Sequence, residues 1–201
     1  MKRILLIISL SVVFSYGLNV KSAYLKSYDY AKMCDCDDAI KVLIPIYKKY
    51  PNQYTINLRL GWLFFLDKKY KNAIKHYKKA LIAIPSSVEA NLGLLKSYLK
   101  LGKLDSAIKV GGVILKKDLY NYYGNYNLIL ALKEKGEYAQ ALKLTKKMLA
   151  LYPTSIIYLE QLASITAKDD EKKARTIYEN ILILDPNNVT AKQYLLLKGS
   201  H

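Results

Sequence analysis

A 34-residue period runs through this sequence. Ala39, Ala73, Ala107 and Ala141 stand one period apart, and Ala174 follows after 33 residues. Tyr30, Phe64, Tyr98 and Leu132 keep the same spacing, as do Leu60, Leu94, Leu128 and Leu162. Pro51 and Pro85 are followed by Leu119 in the next slot, then by Pro153 and Pro186. Self-similarity of this length confines the chain to a stack of small, nearly identical units, each touching only its neighbours, and argues against a single closed core.

Within a unit the apolar residues recur at three- and four-residue spacing, as in Leu142, Leu144, Met148, Leu149 and Leu151, which predicts amphipathic helix and not strand. Each unit is long enough for two helices. Gly102 and Gly136 fall in the turns between them, where positive φ is cheap without a Cβ. The alanine column predicts a close helix crossing, and the prolines end the second helices because proline cannot continue the hydrogen-bond ladder. No hairpin buries its apolar face alone, so the units must stack. The predicted fold is an all-α solenoid of five antiparallel helix hairpins at about 20–53, 54–87, 88–121, 122–155 and 156–188. A short helix over 189–198 follows as a C-terminal cap.

The columns resemble the tetratricopeptide repeat. The copy nearest its pattern reads Leu60-Gly61-x-x-Phe64, Tyr70, Ala73, Tyr77, Ala80, Pro85, and the resemblance covers residues 20–186. The first copy has Lys26-Ser27 where the Leu-Gly pair belongs. The third has Leu95 for the glycine and Gly111 for the second-helix aromatic, and the fifth is one residue short in its inner turn. The resemblance implies a right-handed superhelix whose first helices line a concave groove and whose second helices form the outer wall.

The N-terminus has a separate logic. Lys2 and Arg3 precede the apolar run from Ile4 to Phe14, and Ser15-Tyr16-Gly17 supplies small residues where a signal peptidase reads, so residues 1–17 are expected to be a signal peptide. The alternative is an uncleaved inner-membrane anchor over residues 4–20, although a span needs about 20 apolar residues. With the leader cleaved the expected location is periplasmic or secreted; uncleaved, it is the inner membrane. Export makes nucleic acid an improbable partner despite a net charge of +16. Gly199-Ser200-His201 is either native or a tag remnant.

Chemistry-bearing motifs are sparse. The sequence has no Walker-type loop, no Gly-x-Ser-x-Gly elbow and no His-Glu-x-x-His, and its two histidines leave little for a His-based site. A non-catalytic protein without a cofactor is expected. Cys34-Asp35-Cys36-Asp37-Asp38 lies in the first turn and admits three uses: incidental packing, a strained disulfide, or half of a metal site. Lys48-Lys49, Lys78-Lys79, Lys116-Lys117 and Lys146-Lys147 fall in second helices, as a solvated outer face or as a contact for anionic polymer or lipid.

On the inner face the resemblance directs Trp62, the sole tryptophan, into the groove. Helical spacing sets Leu58 and Phe65 beside it, with Tyr24 and Tyr28 from the preceding repeat, Leu92, Lys96, Leu99 and Lys100 from the next, and Tyr123, Tyr126 and Leu130 beyond. Exposed aromatics with flanking lysines suit a protein or peptide partner bearing apolar and acidic groups, and packing within the molecule is the competing account. The seam around Gly111-Gly112 and the tyrosine-rich 120–126 reads either as close packing or as a hinge. The expected role is a protein–protein interaction scaffold of the cell envelope; an envelope-surface binder using its lysines is the alternative.

Overall fold

A computed structural model describes residues 19–198. Residues 1–18, on which the expected signal peptide falls, and the terminal Gly199-Ser200-His201 lie outside the described residues. Among the described residues every regular element is a helix: α1 (Val20–Lys32), α2 (Cys36–Lys41), α3 (Ile44–Lys49), α4 (Tyr54–Leu66), α5 (Tyr70–Ala83), α6 (Val88–Lys100), α7 (Leu104–Lys117), α8 (Tyr122–Lys135), α9 (Tyr138–Leu151), α10 (Ile156–Thr166), α11 (Glu171–Leu184) and α12 (Val189–Lys198). Each helix packs on the next, and the first helices α4, α6, α8 and α10 also pack on one another in succession, so they form the inner wall.

The hairpins share their local devices. Ala39, Ala73, Ala107, Ala141 and Ala174 are all fully buried, as a close crossing requires. Second helices end at Lys49, Ala83, Lys117, Leu151 and Leu184, just ahead of the proline slots. Leu119 serves in its slot because what is used there is a carbonyl: Asn125 Nδ2 donates to Leu119 O at 3.1 Å as Asn57 Nδ2 donates to Pro51 O at 2.9 Å. The turn between helices places one residue in the left-handed region four times, at Cys34 (φ 60°), Lys68 (56°), Gly102 (65°) and Gly136 (85°), spaced by the repeat period. Two of the four carry a Cβ that this conformation disfavours.

The first repeat departs from a simple hairpin, because its second helix is broken into α2 and α3. Pro45 sits in the first turn of α3, lacks an N–H, and its ring excludes the carbonyl of the residue four earlier from helical bonding; that residue is Lys41, where α2 ends.

Packing between repeats explains the irregular seam. Tyr77 lies between α4 and α6 so tightly that a Cβ on Gly61 would fall 2.8 Å from its ring and one on Gly93 2.2 Å. One repeat later the bulk is exchanged: Leu95, fully buried, replaces the glycine, and Gly111 replaces the aromatic, with Leu128 3.0 Å from where its Cβ would be. α7 runs unbroken through Gly111-Gly112; Gly111 is closely packed, whereas a Cβ on Gly112 would meet nothing within 4 Å. The tyrosines that follow are partly structural. Tyr122 meets Tyr152 and Tyr158 edge-on at 5.2 Å, and its hydroxyl lies 2.7 Å from Ser155 Oγ.

On the outer wall the lysine pairs are not uniformly solvated. Lys79 Nζ donates to the Tyr47 hydroxyl at 2.6 Å, Lys117 Nζ to Ser86 O at 2.6 Å and Lys147 Nζ to Leu119 O at 2.8 Å, so these lysines tie each repeat to the one before. Lys48, Lys78, Lys116 and Lys146 stay exposed. At the end of the stack α12 packs on α11 through Ala191, Tyr194 and Leu195, with the Tyr194 ring 4.3 Å from that of Tyr178.

Candidate functional site

α1 packs on α2 and meets α4 where Ser27 bonds to Arg59, and a groove of about 730 Å³ opens between α1, α4 and α6. Its walls bring together seven of the residues singled out from sequence: Tyr24, Tyr28, Leu58, Trp62, Phe65, Leu92 and Lys96. Trp62 is 40% exposed and Tyr28 50%, large apolar surface for a folded chain to leave in water. Leu58 and Phe65 also pack against the core around Tyr77, and the Phe65 and Tyr70 rings lie 5.5 Å apart. These two positions therefore combine wall and packing roles.

The other five lie outside this groove. Leu99 is half-buried and Lys100 exposed at the far end of α6. On α8, Tyr123 is exposed, with the Lys96 ammonium 5.9 Å from its ring. Tyr126 is half-buried and edge-on to Tyr158 at 6.4 Å; burial pushes its phenol above the usual range. Leu130 is half-buried as well.

Sequence reasoning missed the residue at the floor of the groove. Arg59 is 8% exposed, with its guanidinium 3.8 Å from the Tyr28 ring and 4.6 Å from that of Trp62. It donates from Nη2 to Ser27 O at 2.9 Å and from Nε to Ser27 Oγ at 3.3 Å, so it bridges α4 to α1. Burial draws its pKa below the usual arginine value. A signal existed: Arg59 is one of three arginines in a chain of lysines, and its equivalents one period apart, Gly93, Asn127 and Gln161, are uncharged. Glu89, at the start of α6, is the carboxylate on the groove wall.

The cysteine turn is arranged differently from a metal site. Cys34 and Cys36 are both free thiols. The surrounding carboxylates face separate partners: Asp35 accepts from the Asp38 N–H, Asp37 pairs with Lys69 at 3.0 Å and Asp38 with Lys41 at 2.6 Å. Burial, and then the carboxylates of Asp67, Asp35 and Asp37, push the Cys36 thiol up, which disfavours the thiolate that metal binding or exchange needs. Among the described residues no three His, Cys, Asp or Glu side chains gather as a metal site requires.

A second buried polar cluster lies behind the groove. His76 Nδ1 is 3.0 Å from Asn57 Oδ1, its ring stacks on Phe64 at 5.2 Å and meets Tyr47 edge-on at 5.0 Å. Burial, followed by the charges of Lys79 and Lys75, pulls its pKa down to about 4. It is a neutral core histidine.

A curved stack of helix hairpins with a partly apolar groove on its inner wall defines a helical-repeat solenoid. Sequence models of the tetratricopeptide repeat match residues 24–88, 64–119 and 124–155, and the chain belongs to the tetratricopeptide-repeat family, whose members as a class are protein-interaction scaffolds. Solved structures agree on the fold. Residues 41 to the end of MamA from Desulfovibrio magneticus RS-1 superpose with a TM-score of 0.75 at 19% identity, over 84% of this chain and 96% of that one. A thermophilic repeat protein of Thermus thermophilus gives 0.68 at 15%, over 88% and 97%. A tetratricopeptide-repeat protein of Parabacteroides merdae gives 0.77 at 18%, over 89% and 73%. At these identities the likeness is one of fold. No curated protein matches the sequence.

Proposed function

We propose that this protein is a non-catalytic scaffold of the cell envelope that takes a segment of a partner protein into the groove between α1, α4 and α6. The observation that carries the reading is the half-exposed pair Trp62 and Tyr28 on a groove of about 730 Å³. Aromatic anchors in a concave surface supply most of the energy in interfaces of this kind, about 2 kcal/mol or more each. Repeat stacks present such surfaces because every first helix faces the same side. The envelope location rests on the basic and apolar leader sequence, and it predicts a mature chain beginning near Leu18, which N-terminal sequencing of native protein checks.

Purification of the native protein with its bound partner tests the role directly. Wild type is compared with Trp62→Ala and with a variant in which Lys48, Lys78, Lys116 and Lys146 are changed to Gln. The groove reading expects the partner to be lost in Trp62→Ala and kept in the lysine variant. Loss confined to the lysine variant replaces it with recognition of an anionic surface.

A further inference from the structure

We propose that the groove is selective for an acidic side chain, an Asp or Glu of the partner segment seated on the Arg59 guanidinium between Tyr28 and Trp62. This inference rests on the groove reading and adds the chemistry of what enters it. Arg59 is more than nine-tenths buried and lines the groove. Most of that side chain is out of water, which is costly for a guanidinium unless charge and hydrogen bonds compensate it, while Nη1 keeps an opening to the groove. Here its hydrogen bonds all go to one residue, Ser27, and Nη1 takes no part in them. Among the described residues no carboxylate reaches it at ion-pair distance, whereas the exposed Arg175 has Glu179 at 3.1 Å. The rings of Tyr28 and Trp62 attract the charge but do not neutralise it.

A strut between α1 and α4 would explain the bonds to Ser27, but a neutral donor makes such bonds without carrying a buried charge. What the strut leaves over is one positive charge and a free pair of donors beside exposed aromatic surface. A carboxylate supplies both the counter-charge and the acceptors, in a place where low polarity strengthens the pairing. Glu89 sets the direction. It is exposed on α6, across the groove, and disfavours an acidic group on its own side. Lys96, two turns further along α6, favours a partner that is acidic overall.

The experiment uses an array of C-terminally amidated peptides, each with two leucines and one Glu, beside the same peptides with Gln in place of Glu. Binding to the full-length protein and to every variant is read by isothermal titration calorimetry, a signal that Trp62→Ala also gives. The expected result is a loss of about tenfold or more on exchanging Glu for Gln with wild type. That preference falls below about twofold in Arg59→Gln and is partly kept in Arg59→Lys, with helix content unchanged by circular dichroism. The lysine variant holds the charge, so it separates loss of recognition from loss of the α1–α4 bridge. Equal binding of Glu and Gln peptides that is abolished by Trp62→Ala overturns the carboxylate assignment and leaves the groove standing. A Glu preference that survives Arg59→Gln moves the site to Lys96 and also overturns it. A preference that appears only for peptides with a free C-terminus overturns the side chain as the source. Binding insensitive to Trp62→Ala overturns the groove reading itself.

Discussion

Cys34→Gly and Lys68→Gly are expected to stabilise the protein. Both residues hold φ near +60° at the turn position that Gly102 and Gly136 occupy in the next two repeats. The left-handed conformation costs a residue with a Cβ about 1–2 kcal/mol. Glycine removes that cost and gives back about 0.5–1 kcal/mol through the greater freedom of the unfolded chain. The difference is a gain of about 0.5–1 kcal/mol at each site. Neither exchange removes a buried contact, since both side chains are exposed. The two turns are neighbours in space, where Lys69 pairs with Asp37 at 3.0 Å, so the double exchange is expected to gain up to about 1–2 kcal/mol, with coupling between the sites setting the shortfall. For a chain of this size that raises the melting temperature by roughly 4 °C. The reverse exchanges calibrate the argument: a Cβ on Gly102 or Gly136 meets nothing within 4 Å, so Gly→Ala there loses about 1 kcal/mol for conformational reasons alone. Thermal and urea unfolding followed by circular dichroism measure all four. A neutral or destabilising Lys68→Gly together with a neutral Gly102→Ala would refute the reasoning.

His76 makes stability depend on pH. Its folded pKa of about 4 lies below the unfolded value near 6.5, so between these the unfolded chain binds the extra proton; stability is complete above about pH 6.5 and falls by about 3 kcal/mol as pH drops toward 4, a slope that urea titrations should find flattened in His76→Phe. Gly93→Ala is expected to cost about 2 kcal/mol in urea unfolding, because the added Cβ overlaps a Tyr77 ring held on both sides. Changing Cys34 and Cys36 together to Ser should leave the melting temperature within about 2 °C, since both thiols are free and neither closes a loop; stoichiometric metal in the purified wild type would contradict this.

The repeat was legible because its physics is local. A fully buried alanine at each hairpin crossing admits no larger side chain, so Ala39 to Ala174 announce the register whatever surrounds them. The left-handed turn position was legible at Gly102 and Gly136 but hidden at Cys34 and Lys68, where the fold imposes a conformation that the residue type does not advertise. Pro45 breaks the second helix of the first repeat, and a period read from alanines and aromatics is blind to that break. The exchange of bulk between Leu95 and Gly111 looked like two separate departures in the sequence; only packing of α7 against α8 shows that Leu128 fills what the absent aromatic leaves. Of the groove, Trp62 followed from the family resemblance and its neighbours on α4 from helical phase. Arg59 did not, because its meaning depends on the Ser27 carbonyl and hydroxyl that α1 brings to it, a contact that no column of residues encodes.

The central claim, that Trp62 is recognition surface and not core, is tested most directly by quenching its emission with acrylamide, alone and with the co-purified partner. Trp62 is the only tryptophan, so the signal has one source. The account predicts red-shifted emission open to the quencher in the free protein, as a 40% exposed side chain requires, and shielding once the partner is bound. In Trp62→Ala, partner affinity falls by about 2 kcal/mol or more while stability falls by about 1 kcal/mol, the worth of its contact with Arg59. Blue-shifted emission already inaccessible in the free monomer, with a loss of stability nearer the 3–5 kcal/mol of a truncated core aromatic, would contradict it.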